Sequence, residues 1–152
     1  LNPDFILNQN EYLNATVLLT GRNMGCGSSR EFAVWALVDY GIQVIIAPSF
    51  GAIFFTNCIR NGLLPIVLDE KTITILAHQV ALNPQDNPLN IDLEGCVVTG
   101  PDGVIYPFEL QAGDRLMLLE GLDAIDVTMK LKKAINAFKI VDVSKRPWAY
   151  LG

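Results

Sequence analysis

Seven consecutive residues, Gly25-Cys26-Gly27-Ser28-Ser29-Arg30-Glu31, carry most of the chemistry this chain can offer. Glycines at 25 and 27 allow positive φ and a close backbone approach to a ligand. Ser28 and Glu31 stand in the S-x-x-E spacing of a capping box, which marks a helix start. The free N–H groups and positive dipole end of that helix would face the loop. Together with two hydroxyls and a guanidinium fork, they make an anion site suited to a small carboxylate or phosphate. An arginine in a first turn opposes the helix dipole by roughly a few tenths of a kcal/mol, which an anionic partner would offset. Ser28 reads equally well as a simple helix cap. As a base it would lack a histidine partner, because His78, the only histidine, sits in an amphipathic stretch and reads as a surface residue. There is thus no Ser-His-Asp triad. The helix N-terminus and Arg30 could stabilise a serine alkoxide in its place.

The elements around the loop read as parallel βαβ units. Thr16–Thr20 is a short buried strand that leads into the glycine loop. A helix runs from about Ser29 to Tyr40, and Gly41 ends it as the C′ residue. Gln43–Ala47 is a second strand, and Pro48-Ser49 turns the chain. A second helix covers Phe50–Arg60, with Ile53, Phe54, Asn57 and Cys58 on one face. Asn61-Gly62 stops it, and Leu63–Leu68 is a third buried strand. The second half reads differently. Lys71–Leu82 is a helix and Asn83–Pro88 a polar loop. Ile91–Thr99 and Val104–Phe108 form a hairpin around Gly100–Gly103. Gln111–Leu119 and Asp123–Phe138 are helices separated by Gly121. Arg146–Tyr150 is a tail docked through Trp148 and Tyr150.

Composition narrows the function classes. At 152 residues and 51% hydrophobic, the chain suits a single domain over residues 1–152 with a sizeable core. A net charge of −5 argues against nucleic acid, which needs a basic face. No apolar run is long enough to span a membrane, and no basic, apolar, small-residue leader is present. Leu1-Asn-Pro-Asp reads as sequence from within a protein, so an upstream segment is expected. Cys26, Cys58 and Cys96 are odd in number and far apart, which fits reduced thiols in the cytoplasm. Cys58 and Cys96 read as core residues, and Cys26 as an exposed loop residue or a small packing residue. No two cysteines have metal-ligand spacing, so neither an iron–sulfur cluster nor a structural zinc is expected on this chain. No lysine follows any glycine, which removes the Walker A loop. Arg30 stands where a dinucleotide fingerprint needs its third glycine.

The runs GCGSSREFAVWAL (25–37) and APSFGAIFFTNCIRNGLLPI (47–66) resemble the swivelling domain of the aconitase superfamily. There the pattern is G-x-G-S-S-R-E-H and, further along, S-F-x-x-I-F-x-x-N-x-x-x-N-G-L-L-P. LNPDFILNQ (1–9) and LLEGLDAIDVT (118–128) resemble the bacterial small-subunit family of 3-isopropylmalate dehydratase in particular. The resemblance implies an α/β fold, a three-layer swivelling β/β/α domain of the aconitase C-terminal type with a mixed sheet flanked by helices. A flavodoxin-like, doubly wound, all-parallel sheet is the alternative.

The resemblance also implies a heteromeric hydro-lyase of leucine biosynthesis. It would interconvert 2-isopropylmalate and 3-isopropylmalate through isopropylmaleate. Ser28 would be the base that takes and returns the proton. Ser29 and Arg30, with Gly25 and Gly27, would bind the small hydroxy-dicarboxylate substrate. The [4Fe–4S] cluster would belong to the large partner subunit, where iron acts as a Lewis acid on the hydroxide. Phe32 replaces the family's histidine. The family's upstream segment, which carries an early strand and a loop that helps choose the substrate, has no counterpart in these residues. Preference for isopropylmalate over homoaconitate- or methylmalate-type substrates therefore rests on the flanking matches. A non-catalytic anion-binding module on the same fold is the remaining alternative.

Overall fold

The structure, a computed structural model, describes residues 5–27 and 30–150, apart from the side chain of Ala124. Three short runs rich in β-branched residues and leucine form parallel strands β1 (Val17–Leu19), β2 (Val44–Ala47) and β3 (Leu64–Val67), in the order β1-β2-β3. Helix α1 (Phe32–Tyr40) links β1 to β2, and α2 (Ala52–Arg60) links β2 to β3. Parallel neighbours require such crossovers. Gly41 ends α1 at φ 110°, with its N–H on the Leu37 and Val38 carbonyls. Pro65 has no ladder N–H to give, and β3 tolerates it as an edge strand.

The alternation of β2 side chains sorts the core. Ile45 joins Val34, Ile42, Phe54, Cys58 and Leu63 beneath α1 and α2. Ile46 points the other way and joins Leu64, Ile66, Leu68, Ile73, Leu76, Val98 and Phe108. Helix α3 (Glu70–Leu82) lies on this second face. Asp69 caps it, accepting from the Thr72 N–H at 3.0 Å and the Thr72 hydroxyl at 2.6 Å. Those bonds hold the Asp69 carboxyl below its usual range. Beyond α3, β4 (Asn90–Asp92), β5 (Val97–Thr99) and β6 (Ile105–Pro107) form an antiparallel sheet in the order β4-β5-β6.

The layers are thus α1 with α2, the parallel sheet, and then α3 with the antiparallel sheet. This is the α/β arrangement expected, and the antiparallel strands exclude the doubly wound alternative. The two strand types form two sheets rather than one mixed sheet, because α3 and the loop at 83–88 separate β3 from β4.

Four local expectations are corrected. The run 91–99 is two strands, because the Asp92 carboxylate accepts from the Gly95 N–H at 3.0 Å and turns the chain; Cys96 then takes a φ of 53°. On α2, Ile53 is exposed and Ile59 is buried. That helix packs against β3 and also against α4 (Ala112–Glu120), so a second side is covered. The run 123–138 is α5 (Ala124–Met129) followed by α6 (Lys132–Lys145). The Leu131 N–H turns to Thr128 O at 3.0 Å, an i→i−3 bond that tightens and ends α5. Finally, the tail forms a 3-10 turn, Pro147–Tyr150, with Trp148 69% exposed. Its hold is polar: Arg146 and the Tyr150 hydroxyl both donate to the Asp142 carboxylate.

Candidate functional site

The glycine loop leaves β1 at its C-terminal end, where ligands collect on parallel sheets. Its first half is pinned to the β2–α2 turn. The Met24 N–H donates to Ser49 O at 2.9 Å and the Gly51 N–H donates to Met24 O at 2.8 Å. The Asn23 N–H donates to Ser49 Oγ at 2.8 Å, and that hydroxyl donates to Asn23 Oδ1 at 3.3 Å. Asn23 pays for this turn with a φ of 60°, a region asparagine tolerates.

Gly25 is required on two grounds. Its φ is 76°, and a Cβ there would stand 2.0 Å from Phe54 Cγ. Gly51 is nearly as constrained, since its Cβ would approach Cys26 Cα at 3.2 Å. Gly27 departs from the expectation. It is absent from the positive-φ residues, and a Cβ on it would meet no atom of the described residues within 4 Å. Its φ therefore does not demand a glycine.

Cys26, Gly27 and Arg30 are exposed, while Ser28 and Ser29 lie outside the described residues. Helix α1 begins at Phe32 rather than Ser29, with Glu31 at the N-cap and no side-chain cap hydrogen bond. Glu31 thus stands three positions earlier in the helix than a Ser28 capping box would place it. Its carboxylate is engaged elsewhere, accepting from Asn61 Nδ2 at 3.1 Å. Asn61 Oδ1 in turn accepts from Trp35 Nε1 at 2.9 Å. Phe32, 66% exposed, packs edge-on against Trp35 with ring centroids 4.9 Å apart.

Among the described residues two concavities stand out, the first of which reaches Thr20 and Gly21 at the start of this loop. One of about 1090 Å³ lies between the outer edge of β1 and α3, with Leu19, Ile73, Ala77 and the exposed His78 in its lining. A second, of about 510 Å³, is lined by Phe55, Cys96, Phe108 and Glu109 among others. Among the described loop residues, 25–27 and 30 line neither. The expected cleft at 28–30 concerns residues that lie mostly outside the described set. What the described residues show is an anchored loop that presents Gly27 and Arg30 at the surface.

The three thiols lie in separate surroundings. Cys58, on the inner side of α2, is buried, and burial pushes its thiol up to about 12. Cys96, half-buried, packs against the core on the opposite face of the parallel sheet. Cys26 is exposed on the loop. Among the described residues, no three His, Cys, Asp or Glu side chains come together to hold a metal ion. No helix among them is long and apolar enough to cross a membrane.

Sequence reasoning singled out the loop but missed three residues that hold it: Ser49, Gly51 and Asn61. All three fall within the second motif, which was the available signal.

Residues 1–71 match the family model of the aconitase C-terminal domain, and residues 75–112 match a model described as LeuD_N. The chain is 51% identical over 149 residues to the 3-isopropylmalate dehydratase small subunit of Cupriavidus necator, covering 98% of this chain and 72% of that one. It is 48% identical over 152 residues to the small subunit of the same name from Hahella chejuensis, covering 100% and 70%. A crystal structure of 3-isopropylmalate dehydratase from Methanocaldococcus jannaschii aligns with a TM-score of 0.53 at 30% identity, over 81% of this chain and 68% of that one.

Proposed function

The chain belongs to the small-subunit family of 3-isopropylmalate dehydratase, and from that premise we propose that it works with a large subunit to isomerise 2-isopropylmalate to 3-isopropylmalate through isopropylmaleate, within leucine biosynthesis in the cytoplasm. The [4Fe–4S] cluster is assigned to the large subunit, where it would supply a Lewis acid. In this reading residues 1–152 act as one swivelling domain that brings its loop to the partner's face.

Ser28 is proposed as the base that takes the proton from the substrate carbon and returns it to isopropylmaleate. Ser29 and Arg30 would bind a substrate carboxylate, with the guanidinium fork matching the carboxylate bidentately. Gly25 and Gly27 would let the backbone come close to the substrate. The observation that carries this reading is the anchoring of the loop. Phe54 fills the space a Gly25 side chain would need, Ser49 and Gly51 hold the backbone at Met24, and Arg30 is left exposed. A loop held this firmly and facing outward suits a site that a second subunit completes.

The test is reconstitution with the large subunit and assay on 2-isopropylmalate, homoaconitate and methylmalate side by side. Turnover of 2-isopropylmalate by the complex, with none by this chain alone, is the expected result. Preference for another of the three would move the substrate assignment. A complex that forms and turns over none of them would leave an anion-binding module.

A further inference from the structure

The second motif, residues 47–66, has no chemical role in the reading above, yet it grips the loop at both ends. Ser49 and Gly51, before α2, hold Asn23 and Met24. Asn61, after α2, holds the far end. Its amide nitrogen donates to Glu31 Oε1 at 3.1 Å and to Asn57 O at 2.8 Å, and its oxygen accepts from Trp35 Nε1 at 2.9 Å. Glu31 and Trp35 lie one helical turn apart, so a single amide head spans the first turn of α1. Arg30 is the residue immediately before that turn.

The template is rigid. Phe54, Asn57, Cys58 and Ile59 of α2 are all buried. The residue type also fits, because a side-chain amide offers two N–H donors and an acceptor oxygen on one planar head, as these three contacts require.

We propose that Asn61 is a positioning residue: by clamping Glu31 and Trp35 it fixes the start of α1, and so the place where Arg30 meets the substrate carboxylate. This rests on the reading of Arg30 as a carboxylate ligand. A residue that merely ended α2 would affect stability without a selective effect on substrate binding.

The experiment uses the full chain reconstituted with its large subunit. Asn61→Ala should raise KM for 2-isopropylmalate by about tenfold or more with a smaller loss in kcat, as expected when an aligned binding group is displaced. Because Asn61→Ala also removes the end contact on α2, Glu31→Ala serves as the second variant. It breaks the same clamp while leaving the Asn61–Asn57 bond. It should reproduce the rise in KM, and Glu31→Gln, whose amide oxygen still accepts from Asn61, should restore it.

Glu31→Ala combined with Arg30→Lys should raise KM by less than the product of the single effects, since both act through one contact. Amide hydrogen exchange at 30–35 in the complex should quicken in Asn61→Ala and Glu31→Ala, a readout independent of turnover. Unchanged exchange, a KM that stays near wild type in both variants, or multiplicative combination with Arg30→Lys would each overturn the proposal. Normal turnover in Ser28→Ala alongside an intact clamp effect would instead remove only the proposed base. If the complex does not turn over isopropylmalate, the functional reading falls and the exchange rates alone decide the role of Asn61.

Discussion

Helices α2 and α6 both mix apolar and polar residues, yet the fold treats them in opposite ways. Helix α2 buries Phe54, Asn57, Cys58 and Ile59 between the parallel sheet and its neighbours. Helix α6 buries only Asp142 of its fourteen residues, and leaves Phe138, Ile140, Val141 and Val143 exposed. Large apolar side chains contribute about 1.5–3 kcal/mol each when removed from water. Helix α2 collects that energy and α6 does not. The lesson concerns function as well as stability. The loop with the candidate chemistry rests on the helix that is locked in place, so its geometry is inherited from a packed core.

The largest expected effect lies on the locked side and should fall on rate rather than stability. In the reconstituted enzyme, Ser28→Ala should lower kcat by about 10²–10⁴-fold, the usual size of a general-base loss, with KM moving much less. A thermal melt of the same sample should stay close to wild type. Near-normal turnover in a folded complex would sink the base assignment.

Next comes the support beneath the loop. Phe54→Ala should cost about 3–5 kcal/mol in a denaturant titration, as large aromatic deletions from cores do. Gly25→Ala should also destabilise, because its Cβ would sit 2.0 Å from Phe54 Cγ at a φ of 76°. The double variant should cost less than the sum, since removing the ring relieves the clash. Strict additivity would show that Gly25 is not held by that contact.

Arg30→Lys comes third. A point charge replaces a bidentate fork, so KM for isopropylmalate should rise about tenfold while the protein melts normally. An unchanged KM would remove Arg30 from the substrate contacts.

On the unlocked side the effects should be small. Phe138→Ala should change stability by no more than about 0.5 kcal/mol, the range for surface positions without special contacts. A loss of several kcal/mol would mean that α6 is packed after all, and the contrast with α2 would break.

The smallest effect concerns pH. Hydrogen bonds from Arg146, and then from the Tyr150 hydroxyl, hold the Asp142 carboxyl below its ordinary value. Its folded pKa therefore lies below the unfolded one. The contribution is complete above the unfolded value of about 3.9 and is lost as pH falls through the folded one. Protease sensitivity after Arg146 should rise at acidic pH without a change in the core. Asp142→Asn should show the same sensitivity already at neutral pH. A tail equally protected in both conditions would show that the carboxylate does not hold it.

Much of this molecule could be read from short-range pattern. The VIIA run of β2, the glycine that ends α1, the Asn61-Gly62 stop and the paired motifs all act within a few residues. The local preferences they express are the ones a linear sequence displays. The same holds for the family resemblance, since GCGSSRE and NGLLPI stand in the chain as written. Even the turn at Asp92–Gly95 was written there, as an aspartate three residues before a glycine, but the apolar residues around it looked like one strand.

Other features belong to tertiary structure alone. Gly25 is needed because Phe54, twenty-nine positions later in the sequence, occupies the space beside it. Glu31 was free to cap its own helix until Asn61 came within 3.1 Å of it. Ile59 is buried because α2 is covered on a second side, and α6 stays mostly exposed because, among the described residues, little besides the turn at 147–150 packs on it. Periodicity tells which residues of a helix share a face. Only the long-range contacts decide which of those faces meets a partner, because the free energy of burial is set by what lies opposite.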